Sequence, residues 1–155
     1  MDASQSNAGR IEVIARGLII RGGRVLVCRS IEGGYVYLPG GHVEPGEMAE
    51  VALARELVEE AGLPTEPGKC ILIAEVVFGD PLRGGGHELN LVFHVEPPST
   101  EESIASREQA IAFEWLDLAA VVDTDLRPRA IKAWLLDGAD SGRSGPAFVS
   151  DREPS

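Results

Sequence analysis

Glu56, Glu59 and Glu60 put three carboxylates into five residues, a choice that helix stability alone disfavours. They lie in GGHVEPGEMAEVALARELVEEAGL, residues 40–63, which holds six glutamates and one arginine. On a helix of about 3.6 residues per turn, positions 56, 59 and 60 are neighbours, and each like-charged pair costs ~0.3 kcal/mol. Two of the three also sit near the negative end of the helix dipole. No base follows Glu59 or Glu60 at i+4, where Leu63 and Pro64 stand. A solvated acidic face is the bland reading of such a run. The sharper one is a hard divalent cation, because Mg²⁺ takes oxygen ligands and keeps several waters. Arg55 falls at the margin of the apolar stripe, where an unpaired guanidinium is costly, and Glu47 is the acid placed to satisfy it. Gly40 and Gly41 leave room for a backbone carbonyl to approach the same cation.

These side chains need a rigid support. Met48–Ala61 has no internal Gly or Pro and is rich in Ala, Leu and Glu, which predicts a helix. Gly62 is its left-handed stop, and Pro64 follows. Val51, Leu53, Ala54, Leu57, Val58 and Ala61 are expected to cover the face that packs on a sheet. Ile11–Ile20 and Val25–Arg29 read as strands around a Gly22-Gly23 turn, and Ile71–Phe78, Leu89–Val95 and Ile111–Leu116 as further strands. Leu118–Val122 and Arg129–Leu136 read as helices. The order predicts a mixed α/β (α+β) fold, an α/β/α sandwich around a mixed β-sheet. Residues 1–9 are expected to be a flexible tail, 10–137 the domain, and the Gly/Ser/Asp-rich 138–155 a second flexible tail.

Composition narrows the partners. The 155 residues carry a net charge of −11, which disfavours nucleic-acid polymers and anionic membranes. No apolar run approaches the roughly 20 residues of a membrane span, and no secretory signal is visible at the N-terminus. Cys28 and Cys70 are isolated in apolar segments, so buried free thiols and a reducing cytoplasm are expected. An anionic substrate remains compatible with the chain if a cation mediates the contact.

The spacing G-x5-E-x7-R-E-U-x-E-E-x-G-U, with U aliphatic, is met by Gly41, Glu47, Arg55, Glu56, Leu57, Glu59, Glu60, Gly62 and Leu63. It resembles the Nudix box at every defined position, and the surrounding elements resemble a whole Nudix domain over about residues 10–137. The resemblance implies a loop–helix–loop metal site in a hydrolase that breaks a pyrophosphate bond in a nucleoside diphosphate-linked substrate, with Mg²⁺ or Mn²⁺. It implies Glu56, Glu59 and Glu60 as metal ligands, the Gly40 carbonyl as a further ligand, and Glu56 or Glu59 as the water-activating base. Glu47 and Arg55 would be the structural pair. Relatives often recruit one more loop glutamate, for which Glu108 is favoured here and Glu88 is the rival. Homodimers are common in proteins of this kind.

Substrate recognition is less marked in the sequence. Tyr35, Tyr37 and Phe78 are candidates for stacking on a base, His87 and Asn90 for hydrogen bonds to base or ribose, and Arg83 for a phosphate. A nucleoside triphosphate or related small nucleotide is the first expectation. ADP-ribose or a dinucleoside polyphosphate is the alternative, and a non-catalytic nucleotide sensor the reading from another class. Such a sensor would be expected to lose box carboxylates, and here none is missing.

Overall fold

Alternation in Ile11–Leu18 (β1) sends Ala15 to one side of a sheet and Ile14 and Leu18 to the other, and this division organises the molecule. The computed structural model describes residues 8–99, 103–140 and 144–154. Most of the expected N-terminal tail lies outside the described residues.

Ile11–Ile20, expected as one strand, is split. Ile20–Arg21 (β2) turns through Gly22-Gly23 into Arg24–Ser30 (β3), with Ile20 opposite Val25. Ile19 lies between β1 and β2, fully buried, where the chain crosses from one sheet to the other. The remaining elements are Val36–Tyr37 (β4), Gly40–His42 (β5), Ala49–Ala61 (α1), Cys70–Phe78 (β6), Gly86–His94 (β7), Ile111–Asp117 (β8), a 3-10 turn at Leu118–Asp123, Arg129–Leu136 (α2) and Ala147–Glu153 (β9).

One sheet runs β5-β1-β7-β6-β9, with β1 parallel to β7 and β6 parallel to β9. The second holds β2, β3, β4 and β8. Leu18, Val25, Val27, Leu72, Val76 and Val92 form one core with Ile131, Trp134 and Leu135 of α2. Ala15, Ile19, Leu26 and Phe93 form the other with Ala52, Leu53 and Leu57 of α1. The two helices therefore cover opposite faces of the β layer, which is the expected sandwich.

Two further expectations fail. The strand β9 falls inside 138–155, the stretch expected to be a loose tail. Ala147, Val149 and Asp151 alternate with exposed Phe148, Ser150 and Arg152, and the strand pairs with β6 from Leu72–Ala147 to Phe78–Glu153. Its local composition says tail; the free edge of β6 and the Arg129–Asp151 ion pair at 2.7 Å make it a strand. The buried face of α1 is also rotated from the expected one. Ala52, Leu53 and Leu57 are buried, whereas Val51 and Val58 are exposed. None of the helices among the described residues is long and apolar enough to cross a membrane.

Candidate active site

That rotation decides the chemistry of α1. The buried stripe continues through Glu56 and Glu60, so these acids lie at the margin of the core instead of opposite it. The Glu56 side chain is 15% exposed, against 56% for Glu59. Met48 starts the helix and Gly62, at φ 64°, ends it, with Gly62 N–H donating to Val58 O and Leu63 N–H to Leu57 O. Glu56 rests on Gly41 of β5: a Cβ at position 41 would collide with its carboxyl.

Arg55 is the hub of this helix. Its Nε and Nη2 donate to the two oxygens of Glu47 at 2.8 and 3.0 Å, the fork-to-fork pair expected from the sequence, and hold that carboxyl below the usual range. Its Nη1 also donates to Glu56 Oε1 at 3.0 Å and Glu59 Oε2 at 3.3 Å, and its Nη2 to the His42 carbonyl. The acid cluster is therefore partly offset by a base. No base follows the cluster at i+4, but Arg55 precedes Glu59 by one helical turn and reaches it.

Glu60 has no such partner. Burial, then the charges of Glu56 and Glu108, push its carboxyl up to about 7. The backbone places Glu108 there. Arg107 N–H donates to Glu60 O at 2.7 Å, and the Arg107 guanidinium lies over Gly62 and reaches Val58 O at 3.4 Å. This clamp, which the sequence reading missed, docks the 103–110 loop on the last turn of α1. Its sequence signal was a base beside Glu108 facing the free carbonyls of a helix end.

Among the described residues no group of three His, Cys, Asp or Glu side chains stands ready at metal-binding positions. The donor set nevertheless suits a divalent cation. Carboxylate oxygens gather around a partly buried carboxyl whose pKa is raised by burial and by the charges of Glu56 and Glu108.

The substrate candidates divide sharply. Tyr35, Tyr37 and Phe78 meet in one pocket of about 500 Å³, together with Arg16, Glu88, Arg127 and Glu153. Phe78 lies against Gly86, where any side chain would strike its ring, and the Arg127 guanidinium sits 4.4 Å from the Tyr35 ring centre. Asn90 is fully buried beneath this pocket and accepts from Arg16 Nε at 2.7 Å. Its neighbour His87 alternates to the opposite face of β7 and pairs with Glu75 at 2.9 Å. Arg83 stays 86% exposed beside Asp80 and does not line the pocket. Glu88, the rival to Glu108, belongs to the aromatic pocket. Arg16 and Glu153 also line it and were not foreseen.

Pocket and acid cluster adjoin. Arg16 of the pocket stands opposite Gly40 in the β1–β5 pairing, and the next residue, Gly41, carries the Glu56 carboxyl against it. Both cysteines are free thiols, and burial pushes them up, which makes them poor nucleophiles.

Known proteins are similar to this chain in sequence and fold. The NUDIX domain model matches residues 12–135. A putative 8-oxo-dGTP diphosphatase 2 of Mycobacterium tuberculosis is 30% identical over 145 residues, covering 91% of this chain and 97% of that protein. A MutT-like protein of Streptomyces ambofaciens is 32% identical over 135 residues, covering 86% and 79%. The crystal structure of a MutT protein from Bacillus halodurans shares the fold, with a TM-score of 0.69, 17% identity and coverage of 92% and 90%. A complete box on its helix, the domain-long match and the relatives at 30% identity lead to one assignment: the chain belongs to the Nudix family and is a Nudix hydrolase.

Proposed function

We propose that this hydrolase cleaves the pyrophosphate bond of a nucleoside triphosphate in a reaction that depends on a divalent cation, with Mg²⁺ the first choice. The observation that carries this reading is the contiguity of two unlike sites. An aromatic pocket that suits a base adjoins a partly buried set of carboxylates on α1, joined through the Arg16–Gly40 pairing of β1 and β5. A base in the first would direct its phosphates toward the second.

Glu56, Glu59 and Glu60, with the Gly40 carbonyl, would hold the cation, and Glu108 is the additional acid. The cation, when bound, neutralises phosphate charge and lowers the pKa of water. It also lets an anionic protein take an anionic substrate. Arg55 and Glu47 fix the helix to the preceding loop, while Glu56 or Glu59 accepts the proton of the attacking water. The name of the mycobacterial relative favours an oxidised or ordinary purine nucleotide over ADP-ribose. The free thiols fit a cytoplasmic setting.

The test is release of phosphate or pyrophosphate from nucleoside triphosphates, 8-oxo-dGTP, ADP-ribose and diadenosine polyphosphates, with Mg²⁺ and with chelator. Cation-dependent turnover of a triphosphate is expected, falling by orders of magnitude in Glu56→Gln and Glu59→Gln while the fold persists. Unchanged turnover in both variants defeats the site assignment.

A further inference from the structure

Asn90 is the one polar residue classed as fully buried among the described residues, and it separates two opposite charges. Its Oδ1 accepts from Arg16 Nε at 2.7 Å, and its Nδ2 donates to Glu88 Oε2 at 3.2 Å. The orientation of the amide follows from its partners, since a guanidinium can only donate and a carboxylate only accept. Arg16 Nη1 donates in turn to the Leu38 carbonyl at 3.0 Å.

Arg16 and Glu88 line the same pocket, yet they are bridged by the amide instead of forming the stronger direct ion pair. Arg16 Nη2 and Glu88 Oε1 are left without hydrogen-bond partners in the protein. Neither atom is sealed from solvent, so both are open to a ligand that enters the pocket. A ligand that brings an acceptor to Arg16 and donors to Glu88 satisfies both. A phosphate does not, because Glu88 repels it. A planar ring does, and Tyr37 and Phe78 supply walls for one.

The count of open groups selects the ring. Nε and Nη1 of Arg16 are engaged, so Nη2 is the guanidinium nitrogen with no protein acceptor and suits one carbonyl oxygen. A carboxylate takes two parallel N–H groups. Guanine alone among the common bases presents a carbonyl followed by two N–H donor groups along one edge. Cytosine brings two acceptors and one donor, and adenine has no carbonyl. Oxidation of guanine at C8 leaves this edge unchanged.

We propose that Arg16 and Glu88, held apart by Asn90, read the Watson–Crick edge of guanine: Arg16 Nη2 donates to O6, and Glu88 accepts from N1–H and the 2-amino group. This deepens the nucleotide reading above, names the base, and assigns Glu88 to base recognition. Asn90 is a positioning residue.

The test is equilibrium binding, which needs no turnover. Calorimetry on the full chain compares dGMP, dIMP, dAMP and dCMP with wild type, Glu88→Gln and Arg16→Lys. The wild type should bind dGMP about tenfold or more tighter than dAMP or dCMP, with dIMP, which lacks the 2-amino group, between. In Glu88→Gln that preference should vanish while the melting temperature holds, because the amide turns a donor toward a donor. Arg16→Lys should weaken dGMP and dIMP together and leave dAMP unchanged. Equal affinity of the wild type for dGMP, dAMP and dCMP overturns the proposal, as does a dGMP preference that survives in Glu88→Gln. A guanine preference without hydrolysis of any nucleotide would sustain this assignment and defeat the catalytic reading alone.

Discussion

The carboxyl of Glu56 occupies the space that a side chain at position 41 would fill, so Gly41 serves a residue fifteen positions away instead of its own backbone. Gly41 does not adopt a positive φ. Gly40 is the opposite case. Its φ is 146°, and a Cβ there would run into the backbone of Ala15 and Arg16 on β1. The two alanine substitutions should therefore fail differently. Gly41→Ala should keep its melting temperature within a few degrees and lose roughly tenfold or more in turnover, because a flexible carboxyl is displaced. Gly40→Ala should cost ~2 kcal/mol or more of stability, since backbone must move. Thermal melts and steady-state turnover on the same two preparations check both expectations.

Glu60 gives stability a pH dependence in the metal-free protein. Its folded pKa, about 7, lies above the ordinary 4.5. Below pH 4.5 it is protonated folded and unfolded, and contributes nothing. Between those values the unfolded chain ionises first, so stability falls as pH rises and the full penalty stands above pH 7. Glu60→Gln should stabilise the chelated protein by about 1 kcal/mol at pH 8, after allowance for solvent screening, and hardly at all at pH 4.5. Denaturant melts at the two pH values in chelator are the measurement. An equal effect at both would show that Glu60 is not charged against its neighbours.

Helix α1 was readable because its signals are local. Ala, Leu and Glu propensity and the Gly62 stop act within one segment, and the box spacing fixes residues along one helix. The face that α1 buries was not readable. Val51 and Val58 are more apolar than Ala52 and Glu60, yet the small Ala52 fits close to the sheets and the two valines face outward. The aromatic trio could be named because few aromatics stand near strand ends. Arg16 could not, since a base inside an apolar strand acquires meaning only when β7 lies parallel beside it and delivers Asn90. The same holds for β9, whose pairing is a property of the β6 edge.

The Arg107 clamp makes Glu108 separable from Glu88 by experiment. Glu108 raises the carboxyl pKa of Glu60 through its charge, whereas Glu88 sits among aromatic side chains and accepts from the buried Asn90. Glu108→Gln should therefore lower the Glu60 pKa, read by carbon-detected NMR titration in chelator, and reduce turnover about tenfold. Glu88→Gln should leave the Glu60 titration where it is. A Glu60 pKa indifferent to position 108 would place the loop away from α1 in solution.

Strand β9 should be the acid-sensitive edge of the fold. Arg129 Nε and Nη2 donate to both oxygens of Asp151 at 2.7 and 2.8 Å, and Arg129 N–H donates to Glu153 Oε1 at 2.7 Å, tying the strand to the start of α2. The Arg129 guanidinium holds the Asp151 carboxyl below its ordinary 3.8. A depressed carboxylate pKa means that the tether contributes fully above the unfolded value and is lost as pH falls through the folded one. Amide protection in residues 147–153 should thus drop before that in β1 and β7 when the protein is acidified below about pH 4. Asp151→Asn should show the loosened edge already at pH 7. Because Glu153 and Pro154 line the aromatic pocket, the same variant should weaken nucleotide binding while leaving the Arg55–Glu47 pair intact. If β9 protection in the variant matches wild type at neutral pH, pairing with β6 alone holds the strand and the ion pair is incidental.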